Sequence, residues 1–219
     1  MQIEQFRVGP WENNLYLLTA DDGPDAIVVD PSMESEAALQ EILARGLVVR
    51  RILLTHAHID HILMAQRFQE RTDAPVWLHA GDRWIYERGE QTASSFGLAW
   101  PGAPPIAHWI EEGEDVGLSG IGVRAHSTPG HSPGSVTFET GAGLLVGDVL
   151  FAGSVGRTDL PGGDWETLVA SVRGILFSFD DGTRVCPGHG PETTIGQERR
   201  MNPFVGDTAV GLEGQQEGS

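Results

Sequence analysis

Between residues 55 and 61 the chain reads THAHIDH, which places three of its eight histidines, His56, His58 and His61, around Asp60. Imidazole and carboxylate at this density make a metal-ligand set. In an extended loop, residues two apart point the same way, so His56 and His58 can clasp one ion. Asp60 and His61 open the helical pattern that follows and can serve a second. Three further signals come later, at the ends of apolar runs beside glycine or proline: His131 in TPGHS, Asp148 in LLVGDVLF and His189 in CPGHG. If those ends converge, five imidazoles and two carboxylates meet. That set exceeds the roughly four ligands one zinc accepts and suits two divalent ions sharing a carboxylate and a hydroxide.

The elements that must position these residues alternate between strand and helix. Strands are expected over 2–8, 14–20, 25–30 and 48–54, the last running straight into the histidine loop. Helical spacing covers 34–46, with acids in its first turn and a glycine stop, and returns in DHILMAQRFQERT. APVWLHA reads as a further strand, whereas 88–106 shows no period and reads as a long loop. The second half repeats the theme with strands in IGVRAHSTP, SVTFET and GLLVGD, a helix over 164–178 and a strand in TRVCPGHG. The Gly-, Glu- and Gln-rich stretch from 205 to 219 reads as a tail beyond a domain of residues 1–204.

The stretches THAHIDH, TPGHSPGS, GDVLFAGSVGRTDLPGG and PGHGPETTIGQERRMNPF, spanning 55 to 204, resemble the metallo-β-lactamase superfamily and, within it, the glyoxalase II-like hydrolases. The resemblance implies an α/β chain folded as a four-layer αββα sandwich, with metals at one edge between the sheets. It implies one site of His56, His58 and His131, another of Asp60, His61 and His189, and Asp148 as the bridge. Asp60 and Asp148 are then the residues expected to carry catalysis. Zinc is the first expectation for the two ions, with iron or manganese also suited to nitrogen and oxygen ligands.

The implied reaction is attack of a metal-bridging hydroxide on an S-acyl thioester such as S-lactoylglutathione, whose thiolate leaves with little help. Arg157, in the loop after Asp148, is the expected substrate contact, but the aromatic partner that follows it in the classical enzymes is replaced by Thr158 and Asp159. The glutathione-holding helical domain of those enzymes has no counterpart in the roughly 30 residues after His189, so the thiol carrier stays open. Two other readings fit the same residues. A persulfide dioxygenase would hold one iron with His56, His131 and Asp148, and a non-catalytic metal-binding protein would be expected to have lost ligands.

Composition narrows the partners. Against 31 acidic residues stand 14 basic ones, a formal net charge of −17, with no basic footprint for nucleic acid. No apolar run approaches the roughly 18 residues of a membrane span. The start of the chain lacks an export signal, and Cys186 as sole cysteine rules out an intramolecular disulfide, so a cytoplasmic setting is expected. His79, His108 and His126 lie outside the motifs and are expected in ordinary structural roles, as is Cys186. GHSPG imitates a serine-hydrolase motif, but Pro133 follows Ser132 and has no N–H for an oxyanion hole. GIGVRA leads into a strand, not a helix, and reads as a turn.

Overall fold

The structure is a computed structural model that describes residues 1–209. Alternating apolar residues in the first strands explain its layering. In β2 (Asn13–Thr19), Leu15 and Leu17 face one way while Tyr16 and Leu18 face the other, and all four are buried. β3 (Asp25–Val29) divides likewise between Ala26 and Val28 on one side and Ile27 and Val29 on the other. A strand apolar on both faces must be covered on both.

These strands join β1 (Gln2–Val8), β4 (Val48–Leu53), β5 (Val76–His79) and β6 (Ile106–Ile110) in a sheet ordered β1-β2-β3-β4-β5-β6. The first two pairings are antiparallel and the remaining three parallel. Each parallel step needs a crossover. The crossovers hold α1 (Glu36–Ala44), then α2 (Ile59–Ile62) and α3 (Ala65–Thr72), then α4 (Arg83–Glu87) and α5 (Gly89–Ser95). Their apolar sides, including Leu39, Ile42, Phe68 and Ile85, cover the outer face.

The second sheet contains β7 (Val123–Ser127), β8 (Val136–Thr140) and β9 (Gly143–Gly147), with the small hairpin β10 (Leu150–Phe151) and β11 (Ser154–Val155) beyond it. β12 (Arg184–Pro187) and β13 (Thr193–Thr194) complete the order β13-β12-β9-β8-β7. Leu145, Phe138 and Cys186 pack inward against Tyr16, Ile27 and Leu53 of the first sheet. Leu144, Val146 and Val185 face outward onto α6 (Trp165–Gly174) and α7 (Ile195–Met201). The result is helix, sheet, sheet, helix, with three apolar layers between them.

Three expectations change. The stretch 88–106 is not one long loop: it contains α5, whose Gly89 lies under Trp100 so closely that a Cβ there would sit 2.4 Å from the indole. Along this helix only Gly89 and Ala93 are buried, so the sequence shows almost no apolar period. The run after the histidine loop breaks into α2 and α3 at Met64, because Asp60 and His61 are turned inward toward other strand ends. Finally, Val205 is buried with the helices of the second half, and Arg173 Nε donates to its carbonyl at 3.0 Å. The tail expected from 205 is therefore packed at its start, and residues 210–219 lie outside those described. No helix among the described residues is long and apolar enough to cross a membrane.

Candidate metal centre

β3, β4, β9 and β12 all end at the same edge of the sandwich, which brings the loops carrying the predicted residues together. His56, His58 and His131 form one group whose ring nitrogens lie within 4.8 Å of one another. Asp60, His61 and His189 form a second. Asp148 stands between them: Oδ1 is 3.4 Å from His61 Nε2, and Oδ2 is 3.7 Å from His131 Nε2 and 3.4 Å from His189 Nε2. All seven residues expected from the sequence thus converge on one place.

The orientation of each ring follows from what its other nitrogen does. His131 Nδ1 donates to the Arg157 carbonyl at 2.8 Å, and His189 Nδ1 donates to the Trp11 carbonyl at 2.9 Å. His61 Nδ1 donates to Asp30 Oδ2 at 3.0 Å, and His56 Nδ1 lies 3.1 Å from the Thr55 hydroxyl. Each of these four therefore presents Nε2 to the centre. His58 turns Nδ1 inward instead, 2.7 Å from His131 Nε2.

Electrostatics differ between the two groups. Burial and then the neighbouring imidazoles hold His56 far below the usual histidine range and bring His58 down to about 3, so both are neutral ligands. In the second group burial opposes charging of His61 and His189, but Asp60 and Asp148 outweigh it; His61 is held well above its usual range and His189 at about 10. The carboxylates respond in kind. Burial would raise both, yet facing His61 and His189 brings Asp60 to about 2 and holds Asp148 well below the carboxylate range. The second group is thus a place where positive charge is strongly favoured.

His56 Nε2 and Asp148 Oδ1 are buried and have no hydrogen-bond partner. A buried polar atom left so costs about 1–3 kcal/mol. Lone pairs that converge from five imidazoles and two carboxylates fit divalent cations, and the loss is made good by coordination.

Three supporting residues escaped the sequence reading. Asp30, at the end of β3 with φ of 51°, accepts from the Thr55 amide at 2.8 Å, the Thr55 hydroxyl at 2.6 Å and His61. It groups geometrically with His56 and His61, but these bonds occupy its oxygens, so it orients ligands. Asn13 donates to Asp60 Oδ2 at 2.9 Å. Asp82, fully buried, accepts from the Ala57 and Gly134 amides at 2.8 and 2.6 Å and from the Ser132 hydroxyl at 2.8 Å. It ties the His56–His58 loop to the His131 loop. Asp30 shared with Asp148 the signature of a carboxylate at an apolar strand end, and that signal was available.

Ser132 is therefore a buried bracing group and not a nucleophile. Asp82→Asn replaces one of two acceptor oxygens with an NH₂, which must then face the amide of either Ala57 or Gly134. It is expected to lower the melting temperature and weaken metal binding roughly ten- to a hundredfold, whereas Ser132→Ala keeps turnover within a few-fold. Metal titration of the two variants checks this; unchanged affinity in Asp82→Asn would remove the tie.

A cavity of about 620 Å³ opens over the two groups. Arg157 lines its rim, but its guanidinium is engaged at both edges by Asp159, at 2.7 and 2.6 Å. His108 pairs with Glu114 and His126 with Glu139, both at 2.7 Å, while His79 caps the turn at Gly81. Cys186 is buried in β12 with its thiol pushed up to about 12 by burial. None of these four enters the centre.

Comparison with known proteins agrees with this architecture. The family model described as the metallo-beta-lactamase superfamily matches residues 8–189. Hydroxyacylglutathione hydrolase GloC of Haemophilus influenzae is 37% identical over 209 residues, covering 94% of this chain and 98% of the relative. Among solved structures, BLEG-1 B3 metallo-beta-lactamase superposes with a TM-score of 0.86 at 37% identity, over 93% of this chain and 99% of that one. TTHA1623, crystallised in a di-iron-bound form, superposes with a TM-score of 0.83 at 43% identity, over 92% and 99%. With two facing sheets, a histidine- and aspartate-lined edge and a family match that runs from β1 to His189, the chain belongs to the metallo-beta-lactamase superfamily.

Proposed function

We propose that the protein is a dinuclear metallohydrolase that cleaves S-acyl thioesters. The observation that carries the reading is Asp148, set between two complete ligand groups with one oxygen toward His61 and the other toward His131 and His189. His56, His58 and His131 would hold one divalent ion, Asp60, His61 and His189 the other, and Asp148 both. Bound there, the pair of ions supplies Lewis acidity and a lowered pKa for water.

The chain's own residues do the rest. Asp30 and the carbonyls of Trp11 and Arg157 hold three imidazoles in the tautomer that leaves Nε2 free. Asn13 fixes Asp60 by donating to its Oδ2. Ile59, Trp84, Leu160 and Pro161 shelter the acyl group from bulk water. Among the described residues, no side chain that lines the cavity beside Asp148 is a neutral general acid. That favours a leaving group that departs unprotonated, as a thiolate does. The name of the GloC relative points to the same ester class.

The similarity to BLEG-1, a B3 metallo-beta-lactamase by name, supports a second reading, β-lactam hydrolysis. Metal analysis after saturation with zinc or iron, beside assays on a panel of S-acyl thioesters, a β-lactam and a persulfide, separates the readings. Two ions per chain and thioester cleavage that chelation abolishes and metal restores are the expected result. One iron with persulfide-dependent oxygen uptake, or cleavage of the β-lactam alone, would overturn it.

A further inference from the structure

The cavity over the metal centre has an unusual rim. Six large hydrophobic side chains are exposed among the described residues, and three of them, Trp11, Trp84 and Phe96, stand on this one opening. Trp11 and Phe96 meet edge to face at 5.6 Å, so the rings form a wall rather than scattered surface residues. Aromatic surface gathered in this way is ligand-covering surface.

The charge on the rim is as selective. Among the described residues, Asp60 and Asp148 are the only acids lining the cavity, and both belong to the metal end. Arg157 is already neutralised by Asp159. Arg88, at the junction of α4 and α5, sits 5.6 Å from the Trp84 ring centroid, and no carboxylate among the described residues lies within ion-pair distance of it. In a chain of net charge −17, this is one uncompensated guanidinium beside the exposed Trp84 ring.

Resting on the thioester-hydrolase reading, we infer that the substrate is a monoanionic thioester with a broad apolar face. The apolar part lies against Trp11, Trp84 and Phe96, and a single carboxylate meets Arg88. A peptidic carrier with several charges finds only one free partner here and is disfavoured. Hydrolysis adds water across the acyl C–S bond: the carbon gains the oxygen and the sulfur leaves with the electron pair. Of water's two protons one ends on the thiolate and one in solvent, so a carboxylate, a thiol and a proton result without any oxidant.

Two acids test this: 3-(phenylacetylthio)propionate, with the carboxylate on the thiol half, and S-benzyl thiosuccinate, with it on the acyl half. Each is compared with its methyl ester and with S-lactoylglutathione. Binding is followed separately, by quenching of tryptophan fluorescence, with the corresponding thioethers that cannot be cleaved. In the wild-type metalloprotein at least one acid is expected to bind about tenfold more tightly than its ester and to show a higher kcat/KM than S-lactoylglutathione. Arg88→Gln should close that gap and Arg88→Lys restore part of it, with metal content unchanged.

Failure of both acids to bind better than their esters, a gap that survives in Arg88→Gln, or one that Arg157→Gln closes instead would overturn the assignment. Thioethers that discriminate as expected while no thioester is cleaved would leave Arg88 in place and refute the hydrolase reading.

Discussion

Asp148→Asn is expected to cost activity by more than the roughly ten- to hundredfold typical of losing a residue that merely orients a ligand, and to weaken both metal sites together. The carboxylate lies between the two groups and its charge faces three imidazoles. An amide keeps the shape but removes the negative charge and one acceptor, so each ion loses a ligand atom or the field that balances it. Elemental analysis at graded metal concentration, read beside turnover, checks the prediction. A variant that keeps two tightly held ions and near-normal turnover would show that Asp148 bridges nothing. Loss of one ion alone would assign it to a single site.

Gly188→Ala should do comparable damage with one methyl group. A Cβ at residue 188 would lie 2.2 Å from Asp148 Oδ1 and 2.7 Å from His61 Cε1. Overpacking of a well-filled site costs about 1–3 kcal/mol, and here the atoms that must move are ligands. The expected outcome is a folded chain that holds at most one ion and turns over at least about a hundredfold more slowly, since reacting groups displaced by about an ångström lose that much. Gly182→Ala is the control, because a Cβ there meets nothing within 4 Å. Circular dichroism, metal stoichiometry and turnover on the two variants decide the matter. Full occupancy in Gly188→Ala would mean that the loop yields without disturbing His61 and Asp148.

Much of the candidate centre was legible before any fold was known. Histidine and aspartate are conspicuous where apolar strands end, and strand ends of an α/β sandwich share an edge. His56, His58, Asp60, His61, His131, Asp148 and His189 could therefore be picked out by type and position alone. The same reasoning found most strands, because short apolar runs such as Leu15 to Leu18 are bounded by turn residues. It missed α5, whose buried residues Gly89 and Ala93 leave almost no apolar stripe.

What sequence spacing did not reveal is which polar residues hold the ligands and which would be ligands themselves. Asp30 and Asp148 look alike in the chain; the Thr55 amide and hydroxyl, 25 residues away, and His61 occupy Asp30, whereas Asp148 faces the centre. His189 owes its ring orientation to a carbonyl 178 residues earlier, and His131 owes its own to the Arg157 backbone. The freedom of Arg88 and the engagement of Arg157 were likewise settled by neighbours in space. Residue type and local pattern follow from the chain itself and set what chemistry is available. Hydrogen-bond partners and excluded volume depend on contacts closed across the whole fold, and those decided which side chain does what.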